Sequence, residues 1–163
     1  MSKHKEEKTN VMRVLEQKKI AYTAHTYPHE EGVAVDGVTV AKSMGFDPAI
    51  VFKTLVARGA SKQYYVFDVP VAENLDLKKA AKAVGEKSIE MIHQKELLPL
   101  TGYVHGGCSP VGMKKLFPTV FHSSAENLAA MIVSAGKIGY QVEVAPQALI
   151  ALVRAGTAEL TIE

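Results

Sequence analysis

The chain has 163 residues, 47% of them hydrophobic and 22% charged, with one cysteine and a net charge of +2. This composition suits one globular unit over residues 1–163 and excludes a disordered chain, an internal disulfide and a zinc set made of cysteines. No apolar run approaches the ~20 residues of a membrane span, and the charged start MSKHKEEKTN has no apolar signal core, so the expected compartment is the cytoplasm.

Residues 1–7 are expected to fray. Thr9 can cap a helix whose apolar positions are Val11, Met12, Val14 and Leu15, ending near Lys18 and Lys19. Residues 20–27 read as a strand stopped by Pro28, and 30–38 as a loop. A short helix is expected over 39–44, closed by Gly45. The runs VFKTLVAR and QYYVFDVP, at 51–58 and 63–70, predict a hairpin. A helix over 75–84 ends at Gly85, a strand follows over 88–92, and a helix over 94–98 stops before Pro99. Strands are expected over 119–122 and 131–134, with a helical turn at 124–128 between them, and again over 140–144. Pro146 suits the first position of a helix reaching Ala155 and ended by Gly156, and the chain closes on a strand over 158–163. Strands outnumber helices and do not alternate with them one for one. The fold class is therefore α+β, with a mixed, strongly curved sheet.

Several residues break the pattern. Lys53 lies between Val51 and Leu55 on one strand face. It reads either as a lysine guarding an edge strand or as a cation in a pocket, aimed at a phosphate or carbonyl oxygen. Gly106 and Gly107 permit close approach of backbone to a ligand, and Ser109–Pro110 resembles a helix cap followed by a first helical residue. Free N–H groups there could hold a carbonyl or phosphate; a plain loop reads as well. The phosphate-loop pattern fails at Met113, and the nucleophile-elbow pattern fails at Val111. Cys108 with His105 could make a thiol enzyme, but the pattern favours a small apolar filler. His25 and His29 have the spacing of a helical metal pair, yet they fall on a strand interrupted by Pro28, so no metal site is read. Ser134, Gly136 and Lys137 form a second small-residue turn, able to donate a hydrogen bond or simply to turn a hairpin.

Taken together, FKTL, TGYVHGGCSPVGMKK, VSAGK and GYQVEVAPQAL occur in an order and spacing that resemble the YbaK (EbsC) family, relatives of the editing domain inserted in bacterial prolyl-tRNA synthetase. The resemblance runs from about Thr9 to the C-terminus. It implies a barrel-like mixed sheet surrounded by helices, no cofactor, and a freestanding editing enzyme. Such an enzyme removes cysteine from mischarged Cys-tRNA(Pro), with Cys-tRNA(Cys) as a second substrate. The partners it implies are the 3′ acceptor end of the tRNA and prolyl-tRNA synthetase. The family's pocket lysine falls on Lys53, its loop glycine on Gly106 or Gly107, and its turn serine on Ser134, with Ala135 where a glycine is usual. A family tyrosine falls on Tyr27, and a pocket aromatic of some relatives falls on Asp36. Ser109, Gly136 and Lys137 join the binding set through the same motifs. The implied mechanism needs no protein nucleophile: the substrate's own thiol attacks the ester carbonyl and leaves as a cyclic thiolactone, while the protein supplies position and electrostatics. The rival readings are a non-catalytic module holding an aminoacyl-tRNA end or a nucleotide, and a deacylase for another small amino acid. The mild basicity predicts weak, salt-sensitive tRNA binding through some of Lys42, Lys78, Lys79, Lys82, Lys114, Lys115 and Lys137.

Overall fold

The computed structural model describes residues 8–163; the expected fraying of 1–7 lies outside the described residues. The first helix, α1 (Asn10–Gln17), starts at Thr9, whose Oγ1 accepts a hydrogen bond from the Met12 N–H at 3.3 Å. Its Val11, Met12 and Leu15 are buried. After β1 (Tyr22–Thr26), α2 (Gly37–Met44) begins earlier than the glycines suggest. The cause is Asp36, whose carboxylate accepts from the Thr39 N–H at 3.2 Å and so caps the helix.

The anticipated hairpin forms from β2 (Phe52–Gly59) and β3 (Tyr64–Pro70), in register from Phe52 opposite Pro70 to Arg58 opposite Tyr64. Asp76 caps α3 (Leu77–Val84), and β4 (Ile89–Met91) then pairs with the end of β2. The next helix, α4 (Gln94–Thr101), does not stop before Pro99 but runs through it. Proline forfeits one backbone bond, and the end of the helix is secured instead by the Thr101 hydroxyl donating to the Leu97 carbonyl at 2.7 Å and the Gly102 N–H donating to Leu98 at 2.9 Å. No helix follows Ser109–Pro110: Ser109 Oγ accepts from the Val111 N–H at 3.2 Å, and the segment is an irregular loop. The strands β5 (Thr119–His122), β6 (Met131–Lys137) and β7 (Tyr140–Val144) lie where expected, with β6 extended by three residues. Helix α5 (Pro146–Val153) ends on Arg154 in the left-handed region (φ 56°), not on Gly156, which instead opens β8 (Gly156–Ala158). Of the strand expected over 158–163, Ala158 lies at the end of β8, and beyond it a bridge between Thr161 and Leu75 forms.

The class is α+β, and the strands divide into two sheets. One is antiparallel, in the order β1-β7-β6; the other is mixed, in the order β4-β2-β3-β5-β8, with parallel pairing of β5 to β3 and to β8. A single parallel bridge, Val51 to Ile132, links them, and they do not close into a barrel. Beyond that bridge β2 turns to its pairing with β3 and β4, so the seam between the sheets opens. Among the described residues no helix is long and apolar enough to cross a membrane.

Candidate active site

A cavity of about 360 Å³ lies at this seam. Strand β2 supplies one wall through residues 51–55, including Lys53. Ser134 of β6 and its cross-strand partner Gln141 of β7 supply a second wall, and Tyr27 follows the end of β1. The loop before α2 contributes residues 34–36, and the 103–118 loop contributes His105, Gly106 and Cys108.

Lys53 is half-buried and lines the cavity, at a point where β2 is paired with β3 alone because β4 joins only from Ala57 to Gly59. Burial lowers its pKa, and the negative charges of Asp36 and Glu73 partly restore it. The cavity thus holds a partly desolvated cation with acidic groups near it. Asp36 spends its carboxylate on the cap of α2 and still lines the cavity.

Gly106 has φ 88°, and a Cβ there would lie 2.7 Å from the Cβ of Ala34. Only glycine lets this loop close on the segment before α2. Gly107 is buried behind it: a Cβ would meet the Ile138 nitrogen at 3.1 Å, and its N–H already donates to the Val104 carbonyl at 3.0 Å. Among the described residues no acceptor takes the N–H groups of Gly106 and Cys108, two of the three loop residues that line the cavity.

Ser134 is buried, and its Oγ accepts from the Gly136 N–H at 3.0 Å. A bulge follows, since Ser134 pairs with Gln141 but Lys137 pairs with Tyr140. The bulge turns Gly136 away from the cavity and toward Tyr103, where a Cβ would come within 2.9 Å of the ring. Lys137 is exposed, with its ammonium 5.3 Å from the centre of the Tyr140 ring. Ser109 is fully buried in its turn.

The fold therefore brings Tyr27, Asp36, Lys53, Gly106 and Ser134 to one cavity. Gly107, Ser109, Gly136 and Lys137 stand outside its lining. Sequence reasoning assigned no role to Thr54 and Gln141. Thr54 follows Lys53 directly, and its hydroxyl donates to Asp68 Oδ1 at 2.5 Å. Gln141 lies opposite Ser134 beside core residues Val142 and Val144, and its Oε1 is buried without a partner among the described residues. A polar residue inside an otherwise buried strand was the available signal.

Cys108 is buried, and burial, with Asp68 adding to it, pushes its thiol up to about 12. No hydrogen bond joins it to His105 among the described residues, and His105 is exposed. His25 pairs with Glu143 at 2.8 Å and His29 with the Tyr27 carbonyl at 3.0 Å, so the two bond separately. Among the described residues no three His, Cys, Asp or Glu side chains group to hold a metal ion.

Residues 32–152 match the family described as the aminoacyl-tRNA editing domain. The chain is 45% identical over 162 residues to an Enterococcus faecalis protein named as a candidate Cys-tRNA(Pro)/Cys-tRNA(Cys) deacylase, EbsC, covering 99% of this chain and 98% of that one. A crystal structure described as that of a candidate trans-editing enzyme for prolyl-tRNA synthetase is 25% identical, with a TM-score of 0.81 over 94% of this chain and 95% of the other. A hypothetical protein of known structure shares the fold at 18% identity, with a TM-score of 0.82 over 93% of this chain and 99% of its own. Family match, near full-length relative and cavity agree: the chain belongs to the aminoacyl-tRNA editing domain family.

Proposed function

We propose that this protein is a trans-acting aminoacyl-tRNA deacylase that removes cysteine from Cys-tRNA(Pro) and also accepts Cys-tRNA(Cys). The observation that carries the reading is a cavity with a half-buried lysine and two loop N–H groups without an acceptor among the described residues, whose only protein thiol is held protonated. At about 360 Å³ the cavity is at the small end of ligand pockets, which suits the aminoacyl group and its terminal adenosine while the body of the tRNA stays outside.

The chemistry follows from those parts. The ester is already activated, and the cysteinyl side chain carries its own nucleophile. Its sulfur attacks the ester carbonyl, and a carbon–sulfur bond forms. The bond from the carbonyl carbon to the ribose oxygen breaks, and the thiol proton ends on that oxygen. The thiolactone released then opens in water. The Gly106 and Cys108 N–H groups hold the carbonyl oxygen as charge grows on it, and Lys53 steadies that charge or the terminal phosphate. Ser134 and Tyr27 fix the terminal ribose and adenine. Gly107, Ser109 and Gly136 act behind the wall by fixing the loop and the bulge. Lys137 lies outside the cavity, among the basic side chains that meet the tRNA backbone. Serine carries a poorer nucleophile, and proline carries none, so selection resides in the substrate as well as in the cavity.

A cavity that admits only the aminoacyl end leaves recognition of the tRNA body to a partner. Prolyl-tRNA synthetase is the partner that the structural relative's description supports. The test is deacylation of Cys-tRNA(Pro), Ala-tRNA(Pro) and Pro-tRNA(Pro) by the wild type and by Lys53→Ala. Selective loss of cysteine, abolished by Lys53→Ala, is the expected result. Loss of alanine in place of cysteine would move the specificity to another small amino acid. Absence of turnover on all three would leave a binding module and overturn the proposal.

A further inference from the structure

Behind the cavity wall lies a carboxyl group that the mechanism above does not use. Asp68 is 0% exposed, on β3 directly opposite Thr54 of β2. Its neighbours Phe67 and Val69 are core residues of the opposite sheet face. Thr54 lines the cavity, and its hydroxyl donates to Asp68 Oδ1 at 2.5 Å. The second oxygen, Oδ2, is buried with no partner among the described residues. A buried carboxyl with one oxygen unpartnered is costly, and an apolar side chain of similar size would avoid the cost. Packing therefore does not account for it.

A hydroxyl has one hydrogen and two lone pairs. The Thr54 hydrogen is committed to Asp68, so only lone pairs remain for the cavity. Thr54 can accept a hydrogen bond from a ligand, and it cannot donate one. Burial raises the pKa of this carboxyl to about 8; with the acid's hydrogen on Oδ2, Oδ1 goes on accepting from Thr54, which is the direction the bond has in the structure.

We propose that Asp68 is a positioning residue that turns Thr54 into a hydrogen-bond acceptor for the thiol of a cysteinyl ester, and so carries part of the selection for cysteine. This rests on the deacylase reading above. The thiol has a hydrogen to give, whereas alanyl and prolyl side chains have none. With that hydrogen on Thr54, the sulfur lone pairs are left for the carbonyl carbon.

The experiment compares kcat/KM for Cys-tRNA(Pro) and Ala-tRNA(Pro) across wild type, Asp68→Asn, Asp68→Val, Thr54→Ser and Thr54→Val. Asparagine keeps a carbonyl acceptor and serine keeps the hydroxyl, so both retain the wild-type preference for cysteine. Either valine lowers that preference by about tenfold, the worth of one hydrogen bond. Equal preference in Asp68→Asn and Asp68→Val would overturn the proposal. Should Asp68→Val fail to fold, the two Thr54 variants decide alone, and equal preference in them overturns it. Binding of a non-hydrolysable cysteinyl-amide analogue of the 3′ adenosine, against its alanyl counterpart, separates the two ideas. If the wild type hydrolyses no ester, the deacylase reading fails, and loss of the cysteinyl binding preference in the valine variants still supports the role of Asp68; an unchanged preference overturns it.

Discussion

The buried carboxyl of Asp68 makes the stability of the whole chain pH-dependent in an uncommon direction. Burial raises its pKa from 3.8 to about 8, and the Thr54 hydrogen bond offsets only part of this. A group whose pKa is raised on folding holds its proton in the folded chain after the unfolded chain has released it. Its stabilising effect is full below about pH 3.8, declines as pH rises, and is gone above about pH 8. Each pH unit in that window is worth ~1.4 kcal/mol, so the ceiling is ~6 kcal/mol, and relaxation of the interior reduces it. Against a total stability of ~5–15 kcal/mol that is a large share. The assay is urea unfolding at pH 5, 7 and 9 for wild type and Asp68→Asn, which keeps the shape and removes the titration. Wild type loses several kcal/mol relative to the variant between pH 5 and pH 9. Parallel curves, within ~1 kcal/mol over that range, would refute the reasoning and mean that Asp68 ionises freely inside the fold.

Three further outcomes follow from the cavity. Lys53→Met keeps the side-chain length and removes the cation; deacylation falls by about a hundredfold or more while the urea midpoint holds, and a fall below tenfold in single-turnover rate would remove Lys53 from the chemistry. Gly106→Ala forces a Cβ against Ala34 at positive φ, which costs more than ~1 kcal/mol and displaces the loop that carries two donors, so activity drops more than stability; thermal unfolding beside the turnover rate checks this. Affinity for tRNA falls steeply from low to high salt if basic side chains outside the cavity meet the phosphates, and fluorescence titration over that range reads the slope, a flat one excluding phosphate contact.

Most elements were legible because local signals agreed with the tertiary result. Thr9 and the glycines at 45 and 85 cap helices as their chemistry requires. The hairpin of β2 and β3 shows in its β-rich runs and short joint. Where the reading failed, a tertiary contact had outweighed a local rule. Pro99 stays inside α4 because Thr101 and Gly102 secure the turn around it. Ser109–Pro110 looks like a helix start, but the buried Ser109 hydroxyl is used in a turn of its own. Arg154 adopts a left-handed conformation that composition would give to Gly156. The junction of the two sheets rests on a bridge between residues eighty-one positions apart, Val51 and Ile132, and no periodicity encodes it. The cavity shows the same split. Lys53 stands out as a charge on an apolar face, whereas Thr54 and Asp68 become a pair only when the hairpin register sets them opposite each other.

Cys108 poses the sharpest question for a site that works through a substrate thiol, because two thiols then share one cavity. A protein thiolate in the wall would attack any aminoacyl ester, cysteinyl or not, and erase selectivity. Burial pushes the Cys108 thiol up to about 12, so at pH 7 it stays in the thiol form. The inertness of Cys108 is thus part of the specificity, and it comes first from burial. Cys108→Ala therefore keeps its deacylation rate and its preference for cysteine. Intact-protein mass spectrometry during incubation with Ala-tRNA(Pro) finds no alanyl adduct on the wild type. An adduct on Cys108, or loss of turnover in a folded Cys108→Ala, would show that the protein thiol carries the acyl group and that the substrate thiol does not.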